Sequence, residues 1–426
     1  MLKANFINIT TFVLITFLSA CVRPNSGSPP FTKLAEQETV LPTADLTHNT
    51  PVNGPGFIII PDSELVFSPS CVGFDVENFV ISAGGFLARY QEEVEEELLS
   101  GKQIISRISR EYSVNPRILL ALLEYQSGWV SKNEPQYHGD YPLGFSDSWR
   151  KGLFRQLSYA ANELNRGYYL HAVDALSQLT SVDGQKLYPS EQLNGGTAAL
   201  QYLLGLLKNY HDWELAVSPL GFYAVYVKLF GEPNQYDFGL VVPQDLTQPA
   251  FQLPFVEGET WYLTGGPHSA WGNGAAWAAL DFAPPGEQFG CYESDAWLLA
   301  VADGQVVRSE NGEVVLDLDG DGYEQTGWTV LYMHIAEKDR VAVGATLTAG
   351  DRIGHPSFEG GPATGTHVHI ARRYNGEWIP ADQDLPFNLN GWISKGFGVE
   401  YDGKLVRGEE IIQALGYPAD ENQISW

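Results

Sequence analysis

The spacing of apolar residues changes once along this 426-residue chain, close to position 240, so two differently built regions are required. From about 76 to 232 apolar residues recur at helical spacing. Asn115-Pro116 places a capping residue ahead of a first-turn proline, and ILLALLEYQSGW continues as a strongly apolar helix that should be buried on most sides. WRKGLFRQLSYAANELNRG reads as an amphipathic helix, and the segments Asn194–Tyr210 and Val217–Gly231 as two further apolar ones. Beyond about 245 the pattern is that of strands. WLLAVADGQVVRSENGEVVLDLDGDG, WTVLYMHI and VAVGATLTAGDRIG are β-rich runs broken by glycine-containing turns, and Asn375-Gly376 predicts a hairpin before Glu377-Trp378-Ile379. Phe57-Ile58-Ile59-Ile60 and Leu65-Val66-Phe67 predict short extended pieces at the entrance to the helical region.

The first residues carry a different message. MLKANFINITTFVLITFLSAC has a lysine near its start, an apolar run from Phe6 to Leu18 and small residues up to Cys21. That is an export signal, too short for a membrane span of about 20 apolar residues. Leu18-Ser19-Ala20-Cys21 resembles the bacterial lipoprotein processing site, in which cleavage precedes a cysteine that becomes lipidated; VRPNSGSPP then reads as a tether. The expected organisation is a signal peptide over 1–20, a lipid-anchored linker over 21–55, a mainly helical domain over 56–240 and a β domain over 241–426. The expected location is outside the cytoplasm, at the membrane. With 52 acidic against 25 basic side chains the formal charge is −27, which argues against an electrostatic nucleic-acid footprint. Besides Cys21 there are only Cys71 and Cys291, too few for a disulfide scaffold. One bond joining two regions and two separate buried thiols are both open. Oligomeric state leaves no mark on the sequence.

Candidate chemistry lies in the β region. In ATGTHVHIARRYNG, His367 and His369 are two apart in a predicted strand, so both imidazoles face the same way. His268 in GGPHSAW and His334 in LYMHI belong to the same region, as does Asp281, set between Leu280 and Phe282. A carboxylate in so apolar a setting is costly to bury unless it is paired or bound to a cation. Two imidazoles and one carboxylate make a sound ligand set for zinc with a fourth position open, and the remaining histidines are suited to moving protons.

The ordered set formed by His268, DFAPPG, AVADGQVV, the Tyr-x-His of LYMHI, VAVGATLTAGDRIG and TGTHVHIARRYNG, over roughly 260–385, resembles the M23 family of zinc metalloendopeptidases, the lysostaphin or LytM type. The resemblance implies a mainly antiparallel β domain of the duplicated-hybrid-motif kind that cuts peptide stems or cross-links of bacterial peptidoglycan for cell wall remodelling. It further implies that His268, Asp281 and His369 hold Zn2+ and that His334 and His367 act beside the attacking water. This chain departs from the family form in one respect: SAWGNGAAWAAL separates His268 from Asp281, which are usually close neighbours. Glycine and aromatic residues suit a bulging loop that returns the chain to the same place. A second insertion, EQFGCYESDAWLL, lies beyond Pro285 and is placed to shape a substrate groove.

The helical region offers a second, weaker resemblance. SVNPRILLALLEYQSGW is similar to the catalytic helix of lysozyme-like lytic transglycosylases, which act on glycan strands. In that family the acid directly precedes Ser-Gly; here that place is Gln126, and Glu124 lies two residues earlier, about 200° around a helix. Glu124 is thus a candidate glycan-cleaving acid only if the helix ends before it; otherwise the resemblance implies a degenerate, helical lysozyme-like domain that supports or binds wall material. Two other features have quieter readings. His355 is expected to be a solvent-facing loop histidine, and DLDGDGYEQTG an acidic hairpin loop, because the twelfth position from Asp317 is Trp328 and not the glutamate of a calcium loop. The alternative to an enzyme is a noncatalytic surface lipoprotein that binds the wall or activates a wall hydrolase.

Overall fold

A computed structural model describes residues 55–426 except 136, 138, 191 and 287–289; Cys21 and the export segment lie outside them. The helical region is built from α1 (Gly101–Tyr112), α2 (Pro116–Ser127), α3 (Leu153–Ala172), α4 (Gly195–Gly205) and α5 (Phe222–Phe230), with shorter turns between them. α2 begins where the Asn115 side chain accepts from the backbone N–H of Arg117, with Pro116 in the first turn, and ends at Gly128 in the left-handed conformation. Its residues Ile118 to Leu123 are all buried. On α3, Leu153, Leu157, Ala160, Ala161, Leu164 and Tyr168 form the buried stripe. α4 lies against it so closely that a Cβ on Gly167 would fall 2.8 Å from Ala199 Cα.

Leu65 departs from the extended reading. Asp62–Leu65 is a helical turn, and only an isolated bridge joins Val66 to Val114. The reason is Glu64, fully buried, whose two carboxylate oxygens accept from Arg117 at 2.5 and 2.7 Å while Tyr226 donates to one of them. A bidentate partner and a third donor offset the desolvation of the charge and lock the turn between α2 and α5.

The β region contains β1 (Trp261–His268), β2 (Ala279–Ala283), β3 (Gly304–Glu310), β4 (Glu313–Asp317), β5 (Trp328–Met333), β6 (Thr346–Leu347) and β7 (Val368–Tyr374). It continues with β8 (Glu377–Trp378), β9 (Asn388–Leu389), β10 (Trp392–Gly396), β11 (Gly403–Arg407), β12 (Glu410–Gln413) and β13 (Gln423–Ile424). The main sheet runs β6-β3-β4-β5-β7-β2-β1-β13, all pairs antiparallel, with β8 on β7; β9 to β12 form a second sheet. Asn375 and Gly376 both have positive φ, the turn that an Asn-Gly hairpin requires.

The central strands are buried on both faces. Val314, Leu316, Val330, Tyr332, Val368 and Ile370 point into the core of the β region. Val315, Leu331, Met333, Ala371 and Trp378 point the other way, and Tyr169 of α3 and Trp271 pack on that layer. The two regions share further contacts: the Trp378 N–H donates to Tyr169, Ser113 donates to the Gly376 carbonyl, and Asn375 donates to the Val241 carbonyl. Among the described residues no helix is long and apolar enough to cross a membrane.

Cys71 is a free, buried thiol, which corrects the reading of a bond to Cys291. It sits in the helical core beside Arg117 and Glu64, whereas Cys291 is exposed on a loop of the β region.

One titration at the shared layer has a measurable consequence. Burial, together with the nearby Asp62 charge, raises the Glu377 carboxyl to about 7, although Tyr168 donates to it at 3.0 Å. The folded protein therefore holds a proton there that the unfolded chain releases near pH 4.5. Stability from this group is complete below that value and is lost as pH rises through 7, a change of roughly 1–3 kcal/mol. Glu377→Gln should flatten the stability profile between pH 5 and 8 by about that amount. Urea denaturation across that range checks it.

Candidate metal centre

Strand register brings the candidate ligands together. Asp281 on β2 is the direct partner of His369 on β7, and Met333 on β5 is the partner of His369 on the other side. Alternation then places Asp281 and His369 on the face opposite the β core, since their neighbours Leu280, Phe282, Val368 and Ile370 fill that core. His268 closes β1, whose two register shifts bend it over β2. The loop between His268 and Asp281 does return the chain: His268 Nε2 is 3.2 Å from Asp281 Oδ1, and His369 Nδ1 is 3.4 Å from the same oxygen. One ligand atom from each of the three lies within 4.8 Å of the others. His367 Nε2 is 3.8 Å from Asp281 Oδ1, and the His334 ring lies 4.4 Å from that of His367.

Each imidazole is oriented by a main-chain carbonyl. His268 Nδ1 pairs with Gly266 O at 2.8 Å, His334 Nδ1 with Glu359 O at 2.7 Å, His367 Nδ1 with Gly365 O at 2.8 Å and His369 Nε2 with Ala270 O at 3.0 Å. A carbonyl only accepts, so each of those nitrogens carries the proton and the other ring nitrogen presents a lone pair. His268 Nε2 and His369 Nδ1 thus face one another at 2.9 Å with no proton assigned between them, and the buried Asp281 Oδ1 has no hydrogen-bond partner. Lone pairs converging on an orphaned carboxylate oxygen describe a hole for a cation. The donor set, two imidazoles and a carboxylate, fits Zn2+.

The electrostatics follow from that convergence. Burial alone would raise the Asp281 carboxyl, but His268 and His367 outweigh it and hold it well below the usual carboxylate range. Burial opposes charge on His268, yet Asp281 carries its pKa above the ordinary imidazole value. His369 is lowered, chiefly by burial, and His334 is pushed well below its ordinary value by burial and by the like charge of His367 and His369. The carboxylate that draws a proton onto His268 would draw a metal ion for the same reason.

Several contributors had no signal in the sequence. Tyr401, in the turn between β10 and β11, stacks on His268 with ring centroids 4.2 Å apart. It is held in a left-handed conformation by the bonds Tyr401 N to Pro267 O and Gly266 N to Tyr401 O. His334 is also left-handed, φ 66°, a conformation that the surrounding bonds must enforce. Gly265 is required for space, because a Cβ there would fall 2.5 Å from Asp281 Oδ2. Gly265→Ala should therefore displace the carboxylate and cost about 1–3 kcal/mol. Thermal unfolding with and without added zinc would reveal it as a lost metal-dependent increment.

The other candidates lie elsewhere. His355 is buried, not solvent-facing: it packs against Trp297 and pairs with the Ala296 carbonyl. The Asp317 carboxylate accepts from the N–H groups of Asp319, Gly320 and Gly322 and so closes its own loop. α2 runs past Glu124 to Ser127, and the Glu124 carboxylate accepts from Val130 N, Ser131 N and Ser131 Oγ. The helix therefore does not end before Glu124, the condition set for a glycan-cleaving role, and the three donors let its carboxylate close the loop beyond α2.

Comparison with known proteins touches both regions. A family model described as LasA, N-terminal domain, matches residues 58–245. Protease LasA from two strains of Pseudomonas aeruginosa is 27% identical over 288 residues, which cover 63% of this chain and 65% of those relatives' length. Among solved structures, pseudoalterin, described as a novel M23 metalloprotease from the deep sea, is 23% identical with a TM-score of 0.33, covering 40% of this chain and 96% of its own. The catalytic domain of lysostaphin from Staphylococcus simulans is 22% identical with a TM-score of 0.21, covering 29% of this chain and 88% of its own.

Proposed function

We propose that this chain is a zinc-dependent endopeptidase that hydrolyses peptide bonds in the stems or cross-links of bacterial peptidoglycan. The observation that carries this reading is the orphaned Asp281 Oδ1 with His268 and His369 lone pairs turned toward it, beside two further imidazoles. The likeness to Protease LasA supports it. His268, Asp281 and His369 would hold the zinc, which supplies Lewis acidity to a peptide carbonyl and to water. His367 and His334 keep Nε2 free because their Nδ1 atoms are tied to carbonyls, so each can take a proton there. One accepts the proton of the attacking water; once protonated, such a ring can stabilise the oxyanion or return the proton to the leaving amine. Tyr401, its hydroxyl kept neutral by burial and the nearby Asp281 charge, offers a donor at the rim.

Purified protein incubated with peptidoglycan should generate new peptide ends and no new reducing sugar ends. Failure to bind zinc or to release peptides across a range of pH would leave the wall-binding lipoprotein as the better account. The glycan strands then enter as a surface to be held by the helical region.

The same reading places the protein outside the cytoplasm, tethered through a lipid on Cys21. Cys21→Ser should release it from the membrane fraction or stop its processing. A wild-type protein with an unlipidated terminus far from Cys21 would overturn this.

A further inference from the structure

We propose that Asn162, on α3 of the helical region, is a positioning residue for the metal centre. It fixes the loop from which the Ala270 carbonyl orients His369. This rests on the metal-centre reading above.

Asn162 is 8% exposed, and most of its amide's bonding capacity is directed at one loop. Its Oδ1 accepts from the N–H of Asn273 at 3.0 Å and of Gly274 at 2.9 Å. Its Nδ2 donates to Asn273 Oδ1 at 2.8 Å and to Glu163 Oε1 at 3.0 Å, and Arg166 adds a bond to Asn273 Oδ1 at 2.7 Å. The fit is tight: a Cβ on Gly274 would lie 2.0 Å from the Asn162 carbonyl oxygen, and one on the left-handed Gly272 would lie 2.6 Å from Oδ1. Trp271 meets Tyr112 of α1 edge to face at 6.1 Å. The helical region therefore grips this loop from two helices.

What distinguishes the grip from an ordinary contact between regions is where the loop leads. It begins after His268 and returns to Asp281, so a ligand stands at each end. Ala270 N bonds Ala276 O at 3.0 Å, a turn that leaves the Ala270 carbonyl free to accept from His369 Nε2. Gly272 and Gly274 give the loop wide conformational freedom on its own. Held by Asn162, it presents one carbonyl in one place. Partners that orient metal-ligating histidines typically govern about 10–100-fold in metal affinity. Asn162 acts one step further out, so an effect near the lower bound, about tenfold, is expected.

Zinc affinity of the full-length chain, measured by chelator competition, tests this in Asn162→Leu, Asn162→Asp and Asn162→Ala, with the unfolding temperature of each metal-free protein recorded beside it. Asn162→Leu should weaken zinc about tenfold. Its cobalt(II)-loaded form should show an altered visible spectrum, which a loss of stability alone would not produce. Asn162→Asp keeps the acceptor for both loop N–H groups but turns its second oxygen toward Asn273 Oδ1 and Glu163 Oε1, so its affinity should fall between that of the parent and that of Asn162→Leu. If Asn162→Leu does not fold, Asn162→Ala decides, since it removes the same bonds to the loop without leucine's bulk: weakened zinc supports the proposal and unchanged zinc overturns it. A folded Asn162→Leu protein that binds zinc as tightly as the parent, with the parent's cobalt spectrum, likewise overturns it. A parent chain that binds no zinc at all would instead sink the metal-centre reading, and this inference with it.

Discussion

Asp281→Ala should abolish both stoichiometric zinc and peptide release, the largest loss of any single substitution in this chain. Asp281 is the carboxylate that His268, His367 and His369 approach, and it is 7% exposed. Without it, the inward-turned nitrogens of His268 and His369 lose the carboxylate that approaches them directly and would offset a divalent ion. Loss of an outer partner typically costs about 10–100-fold in metal affinity, and loss of this ligand should exceed that. Metal analysis after dialysis reads the effect directly. Asp281→Asn separates charge from shape: it keeps an oxygen in place, and should still lose most of the zinc. Retention of full zinc content by either variant would remove His268, Asp281 and His369 as a ligand set.

The second large effect is a split between two histidines that stand two residues apart. His369→Ala should lower zinc content and hydrolysis together. His367→Ala should leave much of the zinc in place and slow turnover by about 10²–10⁴-fold, the range for a lost general acid or base. His334→Ala should behave like His367→Ala, because the two rings lie 4.4 Å apart and each has its Nδ1 tied to a backbone carbonyl. Parallel zinc content and initial rates distinguish the three. Equal loss of zinc in all of them would mean that the division of labour between His367 and His369 is wrong.

The switch from helical to strand periodicity was legible, as were the Asn-Gly hairpin and the alternation that turns His367 and His369 to one side. These depend on residues close in sequence, whose geometry follows from local chemistry. The return of the loop after His268 was readable only as an expectation, because it rests on the two register shifts in β1 and on contacts with α3. Tyr401 was invisible: it reaches His268 through pairing in a separate sheet, and nothing around it marks a site. His355 misled because a glycine-rich segment reads as exposed, whereas Trp297 from a distant insertion covers it. Glu124 misled in the opposite direction. A motif suggested chemistry, and the carboxylate serves the turn beyond its own helix.

The four carbonyls that aim the imidazoles belong to Gly266, Ala270, Glu359 and Gly365, and none of them is a side-chain group. An alanine scan removes none of these carbonyls, and it would register their support only through side chains, such as Asn162, that hold the loops. Even Gly266, where a Cβ would fall 2.6 Å from Gly403 N, would report crowding and not the role of its carbonyl, since orientation here is inherited from the path of the backbone. Grafting the five polar side chains onto another sheet would transfer the donors without their aim. An engineer would have to move the loops intact, and a lineage drifting in sequence can keep the centre for as long as it keeps those loops' course.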